Sequence, residues 1–145
     1  MKIVATSGCF DLIHPGHLRL FAHMRRLAGE DGLVVVLMNT DSYIRGWKKR
    51  EPAMLEGDRL EVLAALRDVD VVIPTRHENP CHLIGVIQPD IWVKGNDYGT
   101  DIPEALTLTG YGGKLELVDT GYRVHSGDIR ARIEKNRRLT HGASS

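Results

Sequence analysis

Residues 32–39, GLVVVLMN, form an almost unbroken apolar run with three consecutive valines. Eight residues are short for a helix, and β-branched side chains favour a pleated backbone, so the run reads as a strand. A strand that is apolar at every position has to be covered on both faces. That is the condition of a central strand in a parallel sheet sandwiched between helices. The rest of the chain supplies its neighbours. KIVAT (2–6), DVVIPT (70–75), DIWVKG (90–95) and KLELVDT (114–120) read as four further strands. Between them, HLRLFAHMRRLA (17–28), LEGDRLEVLAALRDV (55–69), PCHLIGVIQ (80–88) and SGDIRARIEKNRRL (126–139) read as helices, with a shorter one at PEALTL (103–108). Residues 40–52 show no period, carry RGWKKRE, and read as a mobile loop. The alternation predicts an α/β fold: a doubly wound, mostly parallel five-stranded sheet flanked by helices. One domain is expected over residues 1–139, followed by a flexible tail at 140–145.

Charge and cysteine content narrow the partners. Nineteen Lys and Arg balance nineteen Asp and Glu, so no overall field draws the chain to nucleic acid or to a membrane surface, and a basic site must be local. No apolar run approaches the ~20 residues of a membrane span. MKIVATSG passes directly into a strand without the shape of a signal peptide, and a cytoplasmic protein is expected. Cys9 and Cys81 lack CxxC spacing and are too few for a disulfide framework, so both are expected to be reduced.

Ligands of open α/β sheets bind beyond the carboxyl ends of the strands. The chemically unusual residues fall at those ends, and the stretch TSGCFDLIHPGH (6–17) is the most telling of them. His14 and His17 are three residues apart at the mouth of a helix and share a face. The same turn offers unpaired N–H groups and the positive end of the helix dipole, and Gly8 and Gly16 allow a phosphate to approach the backbone. Imidazole N–H groups can donate to phosphate oxygens as charge develops in a transition state. Zinc held by His14, His17 and His23 would need another ligand in tetrahedral geometry, and a Pro-Gly helix start suits phosphate better. No metal ligand is assigned. His23, His77 and His82 read as surface or helix-face residues.

GCFDLIHPGH, lying directly after the first strand and opening the first helix, resembles the signature of the HxGH nucleotidyltransferase superfamily. Over nearly its whole length the chain is similar to the cytidylyltransferase-like family within it. NTDSY (39–43), DRLEVLAALRDVDVVI (58–73) and WVKGNDY (92–98) carry the likeness toward the heptose 1-phosphate adenylyltransferases. VIPTR (72–76) is similar to the segment of glycerol-3-phosphate cytidylyltransferases that bears a substrate-binding cation. The resemblance implies a Rossmann-like fold and transfer of a nucleoside monophosphate from a triphosphate to a sugar or polyol phosphate, with release of pyrophosphate. It also implies Mg²⁺ bound with the triphosphate, and a homodimer. ATP is the expected donor. The alternatives are a CTP-dependent enzyme of the glycerol-3-phosphate cytidylyltransferase kind and a nucleotide-binding module that has lost catalysis.

The same resemblance assigns the site. His14 and His17 are implied as catalytic. Ser7, Gly8, Cys9, Phe10, Gly16, Arg59, Lys94, Gly95, Asp97, Tyr98, Thr120, His125 and Ser126 are implied as nucleotide-binding, and Asp11, Asp41, Lys48 and Arg76 as acceptor-binding. A phosphate nucleophile is already largely deprotonated near pH 7. The reaction therefore needs no general base; its difficulty is to bring two polyanions to one phosphorus. Residues 45–50, RGWKKR, are expected to close over the phosphates as a lid. Two segments depart from the family pattern. Gly127 and Asp128 replace residues of the hydroxyl-rich turn, which leaves Ser126 as the expected N-cap, with His125 as a substitute donor. Gly57 stands where relatives carry an acid two residues before Arg59.

Overall fold

In the computed structural model, which describes residues 1–76, 79–96, 99 and 102–142, five strands form one sheet and six helices cover it. In chain order the elements are β1 (Ile3–Gly8), α1 (Pro15–Ala28), β2 (Leu33–Asn39), α2 (Asp41–Trp47), α3 (Glu56–Ala64), β3 (Val71–Thr75), α4 (Cys81–Ile87), β4 (Ile91–Gly95), α5 (Pro103–Thr109), β5 (Lys114–Val118) and α6 (Ser126–Gly142). The strand order is β3-β2-β1-β4-β5 and every pairing is parallel.

The apolar run identified in the sequence is β2, and its side chains alternate as a two-faced strand requires. Val34, Val36 and Met38 join Val4, Phe21, Met24 and Leu63 in one core layer. Val35 and Leu37 join Ala5, Trp92, Ile84 and Leu108 in the other. All of these are buried, so β2 is sealed on both sides.

Topology then opens a crevice. From β1 the chain winds outward through β2 and β3, then crosses back to β4 and β5, so the winding reverses between β1 and β4. The ladder is short at that seam. β1 pairs with β2 along its whole length, from Ile3 with Leu33 to Gly8 with Met38, but with β4 only at Val4–Ile91 and Ala5–Trp92. Beyond Ala5, side chains bridge the gap: Thr6 Oγ1 donates to the Val93 carbonyl at 2.7 Å and Lys94 Nζ to Ser7 Oγ at 3.0 Å. The carboxyl ends of β1 and β4 are thereby held apart but tied.

The structure departs from the sequence reading in three places. Residues 41–47 are helical rather than a loop, with Thr40 as N-cap, its Oγ1 accepting from Tyr43 N at 3.4 Å. Two turns are too few to display a period, although Thr40-Asp41 is a start signal. The helix expected over 55–69 is α3, which ends at Ala64. α6 continues to Gly142, past the expected start of the tail, and none of its residues is buried. Among the described residues no helix is long and apolar enough to cross a membrane.

Candidate functional site

α1 is capped by its own histidines. His14 is the N-cap, in extended backbone (φ −138°, ψ 170°), and Pro15 occupies the first turn, where its missing N–H costs nothing. His14 Nδ1 accepts from Gly16 N at 3.1 Å, and His17 Nδ1 accepts from His14 N at 3.3 Å. With both Nδ1 atoms accepting, each neutral ring carries its proton on Nε2. The rings stack, centroids 3.7 Å apart at 21°. Burial and the neighbouring His14 push the His17 pKa down to about 4; burial and His125 push that of His14 down as well. Both imidazoles are thus neutral N–H donors at pH 7.

The loop that delivers them is tightly folded. Phe10 is buried in left-handed backbone (φ 46°), its ring edge-on to His17 at 5.1 Å and packed against Phe21. A Cβ at Gly8 would lie 3.0 Å from the Phe10 ring, so this glycine makes room for Phe10. A Cβ at Gly16 would meet the His14 ring at 2.9 Å and the Tyr122 ring at 3.0 Å.

Gly8, Phe10, His14, Gly16, His17 and Tyr122 line a cavity of about 490 Å³ at the β1–β4 crevice. Of the residues implied by the resemblance, Ser7, Gly8, Cys9, Phe10, Asp11, His14, Gly16, His17, Lys48, Lys94, Gly95, Thr120, His125 and Ser126 are brought to it. Asp97 and Tyr98 lie outside the described residues, as does His77. Lys48, Arg50, Lys94, Arg123 and Arg130 give the wall five cations against the two carboxylates of Asp11 and Asp119. In a chain of zero net charge, the basic site is indeed local.

Three implied residues are elsewhere. Arg59 is 1% exposed and spends its guanidinium on the frame. It donates to Met54 O (2.9 Å), Cys9 O (2.7 Å), Asn39 O (2.6 Å) and Asp41 Oδ1 (2.6 Å), so it braces the ends of β1 and β2 instead of facing the cavity. Asp41 supplies the acid that Gly57 does not, and its Oδ2 accepts from Glu56 N at 3.1 Å. Arg76 is exposed after β3, the sheet edge two strands from the crevice.

Asp11 is 2% exposed and holds the α2–α3 loop by accepting from Arg50 Nη1 (2.5 Å), Ala53 N (2.9 Å) and Met54 N (2.9 Å). Burial alone would raise its pKa, but these donors outweigh it and hold the carboxyl below its usual range. Arg130 was not singled out in the sequence. Its Nη1 is buried, 3.9 Å from Asp11 Oδ2, with no hydrogen-bond partner, and burial together with Arg50 depresses its pKa. A buried donor without a partner on a cavity wall is one that a water or an anion can satisfy. Its sequence signal was its place one turn inside the last helix.

The N-cap of α6 also differs from expectation. His125 rather than Ser126 precedes the helix, and its N–H donates to Asp128 Oδ2 at 2.7 Å, while Ser126 Oγ donates to Leu12 O at 3.2 Å. Asp128 therefore closes the turn from within. His23 pairs with Glu116 at 3.3 Å, away from the cavity. Among the described residues no three His, Cys, Asp or Glu side chains are placed to hold a metal ion.

A wholly parallel sheet with an imidazole pair and clustered cations at its switch point defines an α/β phosphate-handling domain of the nucleotidyltransferase type. The sequence matches the cytidylyltransferase-like family over residues 5–132. The chain belongs to that family, and with it to the nucleotidyltransferases. It is 44% identical over 117 residues to the bifunctional protein HldE of Streptomyces coelicolor, covering 80% of this chain and 25% of that protein. It is 38% identical over 136 residues to the bifunctional protein HldE of Nitrosococcus oceani, covering 92% and 28%. The chain thus spans about a quarter of the length of these relatives. Among solved structures, the lipopolysaccharide core biosynthesis protein of Thermoplasma volcanium superposes with a TM-score of 0.67 at 25% identity, over 85% of this chain and 99% of that one.

Proposed function

We propose that this domain transfers a nucleoside monophosphate, AMP in preference to CMP, from a nucleoside triphosphate to a sugar or polyol phosphate and releases pyrophosphate. The observation that carries the reading is the neutral imidazole pair, both Nδ1 atoms consumed by helix capping, on the wall of a cation-lined cavity. The Nε2–H groups of His14 and His17 donate to the α-phosphate and to the charge that develops on the departing pyrophosphate. Lys48, Arg50 and Arg130 neutralise the two polyanions as the acceptor phosphate moves in line. No base is needed, since the acceptor phosphate is already an anion.

The preference for ATP rests on WVKGNDY and on the relatives named HldE. The residues present do not fit a protein-held cation: Asp11 is taken by Arg50 and two amides, and Asp119 by Arg123 and Gly121 N. Magnesium belongs to this reading as part of the nucleotide substrate. A cytoplasmic homodimer completes it, by the family resemblance. Incubation with ATP or CTP, magnesium and a panel of sugar and polyol phosphates, while pyrophosphate is followed, tests the reading. Turnover with ATP above CTP is expected. Silence across the panel would leave the nucleotide-binding module as the correct class.

A further inference from the structure

We propose that Tyr122, in the connection between β5 and α6, is a positioning residue that fixes the ring plane of His14 and links it to that connection. The inference rests on the nucleotidyl-transfer reading for its catalytic consequence and on ring geometry for its structural one. Three rings stack, and a fourth meets them edge-on. Phe10 meets His17 edge-on at 5.1 Å, His17 lies on His14 at 3.7 Å, and His14 lies on Tyr122 at 5.2 Å and 27°. Tyr122 closes the open end. Without it His14 would be held by one 3.1 Å bond from Gly16 N and by His17 on a single face, leaving its ring free to swing about χ2.

Tyr122 is itself held from α1. The Arg19 guanidinium lies 5.7 Å over the Tyr122 ring, and its Nη1 donates to Thr120 O at 3.0 Å. Tyr122 N donates to Thr120 Oγ1 at 3.4 Å. Gly16 is the second, independent sign: with the Tyr122 Cδ1 atom 3.0 Å from where a Cβ would stand, the backbone of α1 is shaped to admit this ring. Thr120, Tyr122, His125 and Ser126 all line the cavity, so a nucleotide that orders this connection also sets the plane of His14.

Burial depresses the His14 pKa, and the His17 and Tyr122 rings are the aromatic neighbours stacked on it. The titratable and charged groups around it are His17 on α1, His125 beside Tyr122, Arg19 behind Tyr122, the cavity cations Lys48, Arg50, Lys94, Arg123 and Arg130, and the cavity carboxylates Asp11 and Asp119.

The test is an NMR titration of the His14 ring in the free protein, with turnover measured in parallel, for the wild type, Tyr122→Ala, Tyr122→Phe and Arg19→Gln. Tyr122→Ala is expected to raise the His14 pKa toward its ordinary value and to lower kcat about tenfold, with KM within about twofold. Tyr122→Phe keeps the ring and should restore both values; Arg19→Gln should move both partway and guards against misfolding of the alanine variant. An unchanged His14 titration in folded Tyr122→Ala overturns the proposal, as does a rise in KM alone, which would make Tyr122 a substrate contact. Absence of turnover in the wild type would sink the functional reading, while the titration still decides on Tyr122.

Discussion

Arg59 and His17 show how the same observable, burial of a titratable group, has opposite meanings. Arg59 is permanently charged, and four oxygens surround it at 2.6–2.9 Å, so removing it strands Asp41 and three carbonyls. Arg59→Ala should cost about 3–5 kcal/mol, read from the urea midpoint; a KM effect with stability unchanged would return Arg59 to the nucleotide. His17 is half-buried as a neutral donor. His17→Ala should lower kcat by ~10²–10³ while the protein stays folded, and a near-wild-type rate would remove the mechanism. The same burial predicts a pH effect. With the folded pKa near 4 and the ordinary value 6.5, the unfolded chain binds more protons between those pH values. Stability is full above pH 6.5 and falls as pH drops toward 4, by roughly 3 kcal/mol for this group. A midpoint flat across that window in wild type, or the same slope in His17→Ala, would refute it.

At the scale of elements, the segment between β2 and α3 is where expectation and structure differ most. RGWKKR was expected to be a free lid, yet Arg45–Trp47 belong to α2, and Arg50 is locked to Asp11 together with Ala53 N and Met54 N. Only Lys48 and Lys49 remain between these anchors, and Lys49 takes left-handed backbone (φ 55°). Any closure is therefore confined to a short hinge, with Lys48 already on the cavity wall. Arg50→Ala removes the charged partner of a buried carboxylate and should speed amide exchange at Ala53 and Met54 by ~10-fold or more without unfolding the sheet. Exchange at those amides as slow as in the wild type would show that Asp11 holds the loop without Arg50.

For the whole molecule, α6 raises the question of assembly. It is 17 residues long, buries none of them, and leaves Ile133 and Leu139 59% and 65% exposed. A second copy covering such a helix agrees with the homodimer implied by the family resemblance. A mass of twice 16.2 kDa at micromolar concentration is expected by light scattering; a monomer, with Ile133→Asp changing nothing, would refute it.

Local patterns in the sequence determined the type of every element except α2, the two-faced burial of β2 and the imidazole pair at a helix start. A period of two or 3.6, a Pro-Gly turn and the chemistry of each side chain are all properties of short segments. Strand order was not legible. That order decided which strand ends meet: β1, β4 and β5 converge on the cavity, while β3 and Arg76 stand at the edge. Nor could the sequence say that Arg59 is consumed by main-chain oxygens from three segments, that Asp11 anchors a loop some forty residues away, or that Tyr122 closes the stack over His14. Each depends on residues far apart in the chain being packed at van der Waals distance, and only the folded sheet brings them there.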